Sequence, residues 1–129
     1  MASRTASVKV YLAEDSAEIR ARIGTLLAAE PVDIVGEGAT PQHCIAGILA
    51  SCPDVVVLDV QLEGGSGLEV LQAVRSAQPE VAFIVFSNNS APAYRKRYLG
   101  EGACCFLDKS TEFEQLAHAV AHAGGRALH

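Results

Sequence analysis

The sequence has no long apolar run, and this absence excludes a membrane-spanning helix. No stretch approaches the roughly 18 consecutive apolar residues that such a helix requires. The N-terminal segment, residues 1–7, also lacks the apolar stretch of a secretory signal. We therefore expect a cytoplasmic protein that makes no contact with a membrane.

An excess of basic residues is also missing. The chain carries 10 Lys and Arg against 15 Asp and Glu, which gives a formal net charge of -5, and its basic residues are scattered. Domains that bind nucleic acid concentrate positive charge on one face. We therefore expect no nucleic-acid partner for this chain.

Cysteine pairs of the Cys-x-x-Cys type, which occur in zinc and redox sites, are absent. The four cysteines are Cys44, Cys52, Cys104 and Cys105. Outside such motifs, cysteine behaves as a small hydrophobic residue, and thiols persist in reducing compartments. We interpret all four as buried residues of a protein in a reducing cytoplasm.

Half of the 129 residues are hydrophobic, which suits one domain with a packed core. Apolar runs rich in β-branched residues predict five strands, at residues 8–13, 32–35, 54–60, 81–86 and 103–107. Helical spacing and capping residues predict five intervening helices, over 16–29, from 40, from 66, over 90–100 and over 111–123. We expect a single domain over residues 1–129, with its core at 8–123 and flexible ends at 1–7 and 124–129.

Capping residues and glycines set the expected boundaries of these elements. A helix commonly begins at a hydroxyl side chain that caps it and often ends at glycine. The helix over 90–100 has a poor apolar stripe. The expected start signals are Thr40–Pro41, Ser66–Glu69 and Thr111–Glu114, and the expected stop signals are Gly36 and Gly124–Gly125.

Polar residues follow four of the five predicted strands. Five consecutive βα units imply a parallel sheet with helices on both faces. The carboxyl ends of such strands meet at one edge, where α/β proteins bind their ligands. In chain order, the residues at this edge are Glu14 and Asp15, Asp59, Ser87, and Asp108 and Lys109.

The residue types at this edge suit phosphoryl transfer. Glu14, Asp15 and Asp59 would repel one another in a small cleft, and a hard divalent cation, Mg²⁺ or Mn²⁺, relieves that repulsion through oxygen ligands. An ionised carboxylate can attack phosphorus without a general base. Lys109 supplies a positive charge and Ser87 a hydroxyl donor for the moving phosphoryl oxygens.

Four segments of the chain resemble the receiver domain of two-component response regulators, the family of the chemotaxis-Y type. They read YLAEDS, VVVLDVQLEGGSGLEVL, FIVFSN and GACCFLDKS, and the resemblance extends over about residues 8–123. It implies an α/β, flavodoxin-like (βα)5 fold, a doubly wound five-stranded parallel sheet with strand order 2-1-3-4-5.

The resemblance also implies roles for the residues of the acidic cluster. Asp59 is the phosphoacceptor. Asp15 and Asp59 bind Mg²⁺ directly, together with the backbone carbonyl of Gln61, and Glu14 acts through water.

Further roles implied by the resemblance concern the switch and its lifetime. Lys109 and Ser87 contact the phosphoryl group, and Phe106 stands at the position of the switch aromatic. The side chains of Gln61 and Asn89 flank the water that hydrolyses the phosphoaspartate.

The sequence departs from many family members after Lys109, where they have proline with a cis bond. Ser110 stands at this position here. A cis bond before a residue other than proline costs about 2.5–4 kcal/mol. We therefore expect a trans bond between Lys109 and Ser110.

The implied partners are a sensor histidine kinase or histidine phosphotransfer protein and an unknown downstream protein, with the chain a monomer or weak homodimer. One alternative is the receiver portion of a longer transcriptional regulator. A metal-dependent aspartyl-phosphate phosphatase would need a general acid two residues after Asp59, where Gln61 stands. A flavodoxin would bind phosphate after the first strand, where Glu14 and Asp15 would repel it.

Overall fold

A computed structural model describes residues 7–127. Its main elements alternate between strand and helix, and a short antiparallel hairpin, Gln61–Leu62 with Gly65–Ser66, precedes the third helix. In chain order the main elements are β1 (Val8–Ala13), α1 (Ala17–Leu27), β2 (Val32–Gly38), α2 (Pro41–Ser51), β3 (Val55–Leu58), α3 (Gly67–Ala77), β4 (Ala82–Ser87), α4 (Pro92–Gly100), β5 (Cys105–Asp108) and α5 (Leu116–Ala127). The expected flexible ends at 1–7 and 124–129 lie outside the described residues, except for residue 7 and residues 124–127.

The five strands form one parallel sheet in the order β2-β1-β3-β4-β5, which confirms the predicted fold. The central strand β3 is apolar at all four positions, and each of its side chains is at most 2% exposed. A strand that is buried on both faces needs such a continuous apolar run. One core cluster packs α2, α3 and α4 against the sheet, and a second packs α1 and α5 against the opposite face.

Several predicted helix starts are confirmed. The Thr40 hydroxyl accepts a hydrogen bond from the backbone N–H of His43, and Pro41 occupies the first turn of α2. The capping box at α3 is present, with the Glu69 carboxylate accepting from the N–H of Ser66 at 3.2 Å.

The prediction that Gly36 closes the second strand is wrong, because β2 continues to Gly38. The register of the pair shifts after Val10, and Gly36 then pairs with Tyr11. A Cβ atom on Gly36 would lie 2.8 Å from the Tyr11 ring. Gly38 and Gly47 approach the same ring, where added Cβ atoms would each lie 2.6 Å from its hydroxyl oxygen. Glycine at position 36 therefore makes room for a buried ring and does not end the strand.

The predicted end of the last helix at Gly124–Gly125 is also wrong, because α5 continues to Ala127. A Cβ atom on Gly124 would lie 2.5 Å from the Val8 side chain at the start of β1. The glycine therefore allows α5 to pack closely on the sheet.

The predicted capping box of Thr111 and Glu114 does not form, and a 3₁₀ turn at Phe113–Gln115 precedes α5 instead. The Asp108 carboxylate accepts hydrogen bonds from the N–H groups of Ser110 and Thr111 at 2.7 and 3.2 Å. This Asx turn fixes the backbone at Ser110 and Thr111, so that Thr111 does not cap a helix.

Two further expectations concern the cysteines and the membrane. Cys44 is buried, but Cys52 and Cys104 are exposed and Cys105 is half-buried, so the expectation of four buried cysteines is wrong. Cys52 ends α2 in the left-handed conformation, with φ 49°. Within residues 7–127, no helix has the length and apolar character that crossing a membrane requires.

Candidate functional site

The carboxyl ends of β1, β3, β4 and β5 bring the predicted polar residues together. Glu14 and Asp15 directly follow β1, and Asp59 directly follows β3. Suitable oxygen atoms of these three carboxylates lie within 4.8 Å of one another. An open cleft of about 330 Å³ lies over them and is lined by Asp15, Asp59, Gln61, Leu62, Ser87, Asn88, Asn89 and Lys109.

The Lys109 ammonium connects two of the carboxylates. Its Nζ lies 2.8 Å from Oδ2 of Asp59 and 2.5 Å from Oε1 of Glu14. All three residues are buried, with at most 9% of each exposed. Buried charges require such pairing, so the arrangement fixes the three side chains relative to one another.

Burial and pairing compete in setting the pKa values of this cluster. Burial raises the pKa of Glu14, although its hydrogen bond from Lys109 opposes this effect. Burial alone would lower the pKa of Lys109, but the hydrogen bonds to Asp59 and Glu14 outweigh it and leave that pKa raised. Lys109 therefore remains positively charged at neutral pH and can offset charge on a group bound at Asp59.

The charge of the cluster fits a divalent cation. Three carboxylates and one ammonium leave a net charge of -2 when all are ionised. Both Glu14 oxygens are already engaged, Oε1 by Lys109 and Oε2 by the N–H of Ser16 at 3.0 Å. Asp15 is exposed at the mouth of the cleft. This donor set suits a hard cation such as Mg²⁺, which can approach the exposed Asp15 more freely than Glu14.

Residues that flank the cleft come from the loops after β3 and β4. Ser87 ends β4, is 2% exposed, and its hydroxyl accepts a hydrogen bond from the N–H of Asn89 at 3.0 Å. The N–H of Gln61 lies 3.4 Å from Oδ1 of Asp59. The side chains of Gln61 and Asn89 are exposed at the cleft. With the exception of Asp108, the polar side chains predicted for this edge therefore line one cleft or pair with its lysine.

A protein-family model described as the response regulator receiver domain matches residues 10–121. This chain belongs to the receiver domain family. Domains of this family are phosphoacceptor switches of two-component signalling and generally not classical enzymes, and they bind Mg²⁺ at an acidic pocket.

Known relatives of this receiver domain are transcriptional regulators. It is 32% identical over 123 residues to the DNA-binding transcriptional activator DevR/DosR of Mycobacterium tuberculosis, a match that covers 94% of this chain and 57% of that protein. It is 27% identical to the transcriptional regulatory protein DesR of Bacillus subtilis, covering 88% of this chain and 56% of that protein. The chain therefore spans little more than half the length of these relatives.

Solved receiver structures have the same fold. The signal receiver domain of the protein assigned as response regulator NarL from Mycobacterium tuberculosis superposes with a TM-score of 0.87 at 28% identity, covering 94% of this chain and 98% of that one. The isolated receiver domain of RcsB from Salmonella enterica serovar Typhimurium, determined with the phosphomimetic BeF3-, has a TM-score of 0.82 at 21% identity. It covers 94% of this chain and 98% of that one.

The aromatic residue predicted for the switch position, Phe106, is buried in the receiver domain at 5% exposure. Its ring meets Tyr98 of α4 edge-on, with centroids 6.2 Å apart. The Arg95 guanidinium lies 5.0 Å from the centroid of the Phe106 ring and donates to the Phe106 carbonyl at 3.0 Å. Arg95 also pairs with Glu112 at 3.5 Å. Sequence reasoning missed both Tyr98 and Arg95, because α4 has no clear apolar stripe that would point to them.

Asp108 belongs to the strand-end residues but does not join the acidic cluster. Its carboxylate accepts a hydrogen bond from the Ser90 hydroxyl at 2.5 Å as well as those of its Asx turn. The Ser90 hydroxyl bond, the largest cause, and the backbone bond from Ser110 hold the pKa of Asp108 below its usual value. The bond between Lys109 and Ser110 is trans, as expected. Asp108 thus ties the loop after β4 to the loop after β5.

Proposed function

We propose that this receiver domain accepts a phosphoryl group on Asp59 from a histidine kinase or a histidine phosphotransfer protein. The observation that carries the proposal is the placement of the Asp59 carboxylate, which is 9% exposed, on an open cleft and 2.8 Å from the Lys109 ammonium. An oxygen of Asp59 bonds to the phosphorus of a phosphohistidine while the phosphorus–nitrogen bond breaks. The electron pair of that bond passes to the imidazole, which leaves.

The residues around Asp59 supply positioning and charge. Lys109 is already in contact with Asp59 and offsets negative charge on the phosphoryl oxygens. Ser87 is the last residue of the neighbouring strand β4, and its hydroxyl is a donor for a phosphoryl oxygen. Asp15, Asp59 and the backbone carbonyl of Gln61 would hold Mg²⁺ directly, with Glu14 acting through water. The ion would neutralise charge on the phosphoryl group.

Phosphorylation with a small donor tests the role of Asp59. Incubated with Mg²⁺ and acetyl phosphate, the wild-type protein should gain one phosphoryl group by intact-protein mass spectrometry, and Asp59→Asn should gain none. Asp33→Asn is the matched control, because Asp33 is an exposed carboxylate on β2. Equal labelling of the wild type and Asp59→Asn would contradict the assignment.

The proposed ligand set can be tested separately. Asp15→Ala should weaken Mg²⁺ binding more than Glu14→Ala does, because both Glu14 oxygens already accept bonds within the protein. A titration that gave the opposite ranking would mean that the direct and indirect ligands are exchanged.

The output of the switch is the second part of the proposal. When Asp59 is phosphorylated, Ser87 moves toward the phosphoryl group and Phe106 follows, which alters the surface formed by α4, β5 and α5. Through this altered surface the chain, located in the cytoplasm, controls a downstream protein. The side chains of Gln61 and Asn89, exposed at the cleft, set the lifetime of the phosphoaspartate.

A second candidate places the output in the same polypeptide. The relatives named as transcriptional regulators are matched over only 57% and 56% of their length, which supports a receiver that controls an attached DNA-binding module. Reading the coding sequence on both sides of the segment that encodes residues 1–129 decides between the two candidates. A reading frame that continues into a further domain would support the attached module, and the lack of such a continuation on both sides would exclude it.

A further inference from the structure

Helix α4 is attached to the domain by very few side chains. Only Tyr98 is buried among its residues, Pro92–Gly100. Arg95 is half-buried and reaches Phe106 and Glu112. A signal that passes from the cleft to α4 through packed side chains therefore has few routes among the described residues.

Tyr98 contacts the peptide next to the phosphoacceptor. Its hydroxyl donates to the carbonyl of Val60, the residue that follows Asp59, at 3.4 Å. Burial raises the pKa of Tyr98 to about 12, against a lowering effect of a hydrogen bond with the backbone of Leu68. The hydroxyl therefore stays protonated and remains a donor at neutral pH.

The Val60 carbonyl also accepts a second hydrogen bond. The N–H of Gly67, the first residue of α3, donates to the Val60 carbonyl at the shorter distance of 2.8 Å. Gly67 is packed so closely that an added Cβ atom would lie 2.0 Å from the carbonyl oxygen of Asp59. The Val60 carbonyl is thus fixed to α3 and has little freedom to follow α4. A displacement of α4 away from α3 would therefore lengthen the bond from Tyr98.

The ring of Tyr98 has room to move on one side and a neighbour on the other. Its edge meets the ring of Phe106. A groove of about 430 Å³ adjoins it, lined in part by Val60, Leu68 and Tyr94. A rotation of Phe106 would therefore change its contact with Tyr98, and the groove offers space into which the Tyr98 ring can move.

We propose that Tyr98 is a positioning residue that holds α4 in its unphosphorylated place, and that phosphorylation of Asp59 breaks the Tyr98–Val60 contact. The inference rests on the proposed function of Asp59 and extends it to a side chain of α4. A contact that exists in only one of two states shifts the equilibrium between them by its own free energy. The Tyr98 hydroxyl therefore opposes the switch, and its removal favours the phosphorylated arrangement.

The substitution Tyr98→Phe tests this opposition with Tyr11→Phe as the matched control. Tyr11 lies on β1, away from α4, and is as buried as Tyr98. Its hydroxyl likewise donates to a backbone carbonyl, that of His43, at 3.3 Å. Tyr98→Phe should bind beryllofluoride with Mg²⁺ about threefold more tightly than the wild type, a modest factor because the lost hydrogen bond is long. It should also show faster amide exchange in α4 before the phosphoryl mimic is added. Tyr11→Phe should change neither quantity.

A spectroscopic measurement on the wild-type sequence tests the contact itself. The chain has three tyrosines, so 3-fluorotyrosine labelling gives three fluorine resonances, which the Tyr→Phe variants assign. Beryllofluoride should shift the Tyr98 resonance and leave that of Tyr11 in place. Equal responses of the two tyrosines, or equal beryllofluoride affinities of the two variants, would overturn the proposal. Absence of beryllofluoride binding by the wild type would instead contradict the proposed function of Asp59.

Discussion

Helices α3 and α4 cover the same face of the sheet, but they are attached to it in different ways. α3 buries Gly67, Val70, Leu71 and Val74, whereas α4 buries Tyr98 alone. α3 begins with a capping box, and α4 has no side-chain cap. Aliphatic burial is non-directional and is lost only on unfolding, whereas a few polar and aromatic contacts can be exchanged at small cost. The comparison indicates a fixed support on one side of the cleft and a movable helix on the other.

The largest expected effect comes from removing the aliphatic attachment of α3. Leu71 is fully buried, so Leu71→Ala should lower the free energy of unfolding by about 2–5 kcal/mol, measured by urea denaturation. The matched variant Leu99→Ala on α4, where Leu99 is 44% exposed, should cost less than about 0.5 kcal/mol. Similar losses in the two variants would remove the distinction between the helices.

A smaller effect is expected for the polar attachment of α4. Arg95→Gln removes a hydrogen bond to the Phe106 carbonyl, the stacking on that ring and the pair with Glu112. Stability should fall by about 1 kcal/mol, because the side chain is partly exposed. Amide exchange should accelerate about fivefold in α4 and stay unchanged in α3. Acceleration in both helices would show that they open together.

Alkaline pH should weaken the domain through its buried tyrosines. Burial raises the pKa of Tyr98 and of Tyr11 from 10.0 to about 12 in the folded state. The unfolded chain therefore loses these protons first, so the contribution of the two tyrosines to stability is retained below pH 10 and is lost as the pH rises from about 10 to 12. The fall should be shallower in Tyr98→Phe than in the wild type when urea midpoints are compared across this range. A parallel fall would mean that Tyr98 titrates as it does in the unfolded chain.

The smallest expected effect concerns the outward side of α4. Among the described residues, Arg97 forms an ion pair with Glu101 alone, at 3.3 Å and with 57% of its side chain exposed. Arg97→Gln should change the unfolding free energy by about 0.3 kcal/mol and leave exchange in α4 within error of the wild type. An effect as large as that of Arg95→Gln would show that exposed pairs also hold the helix.

The sequence pattern predicted the parallel sheet and the strand-end residues of the cleft, and the family resemblance supplied the strand order together with Gln61 and Asn89. Parallel strands bring their carboxyl ends to one edge, so the position of Asp59 or Lys109 after a strand already places its side chain. The prediction that glycines end the second strand and the last helix failed, because Gly36 and Gly124 instead make room for Tyr11 and Val8, which are distant in sequence. The role of Tyr98 was invisible for the same reason, since its partners Val60 and Phe106 are identified only by tertiary contact.

The packing of Gly36, Gly38 and Gly47 around the Tyr11 ring has a consequence for how this sequence can diverge. At each glycine an added Cβ atom would lie less than 3 Å from the Tyr11 side chain, so a larger residue at any of them conflicts with Tyr11. A smaller residue at position 11 would in turn leave a void beside the three glycines. These four positions should therefore change together between lineages, as a covarying group, whereas the outward positions of α4 can vary one at a time.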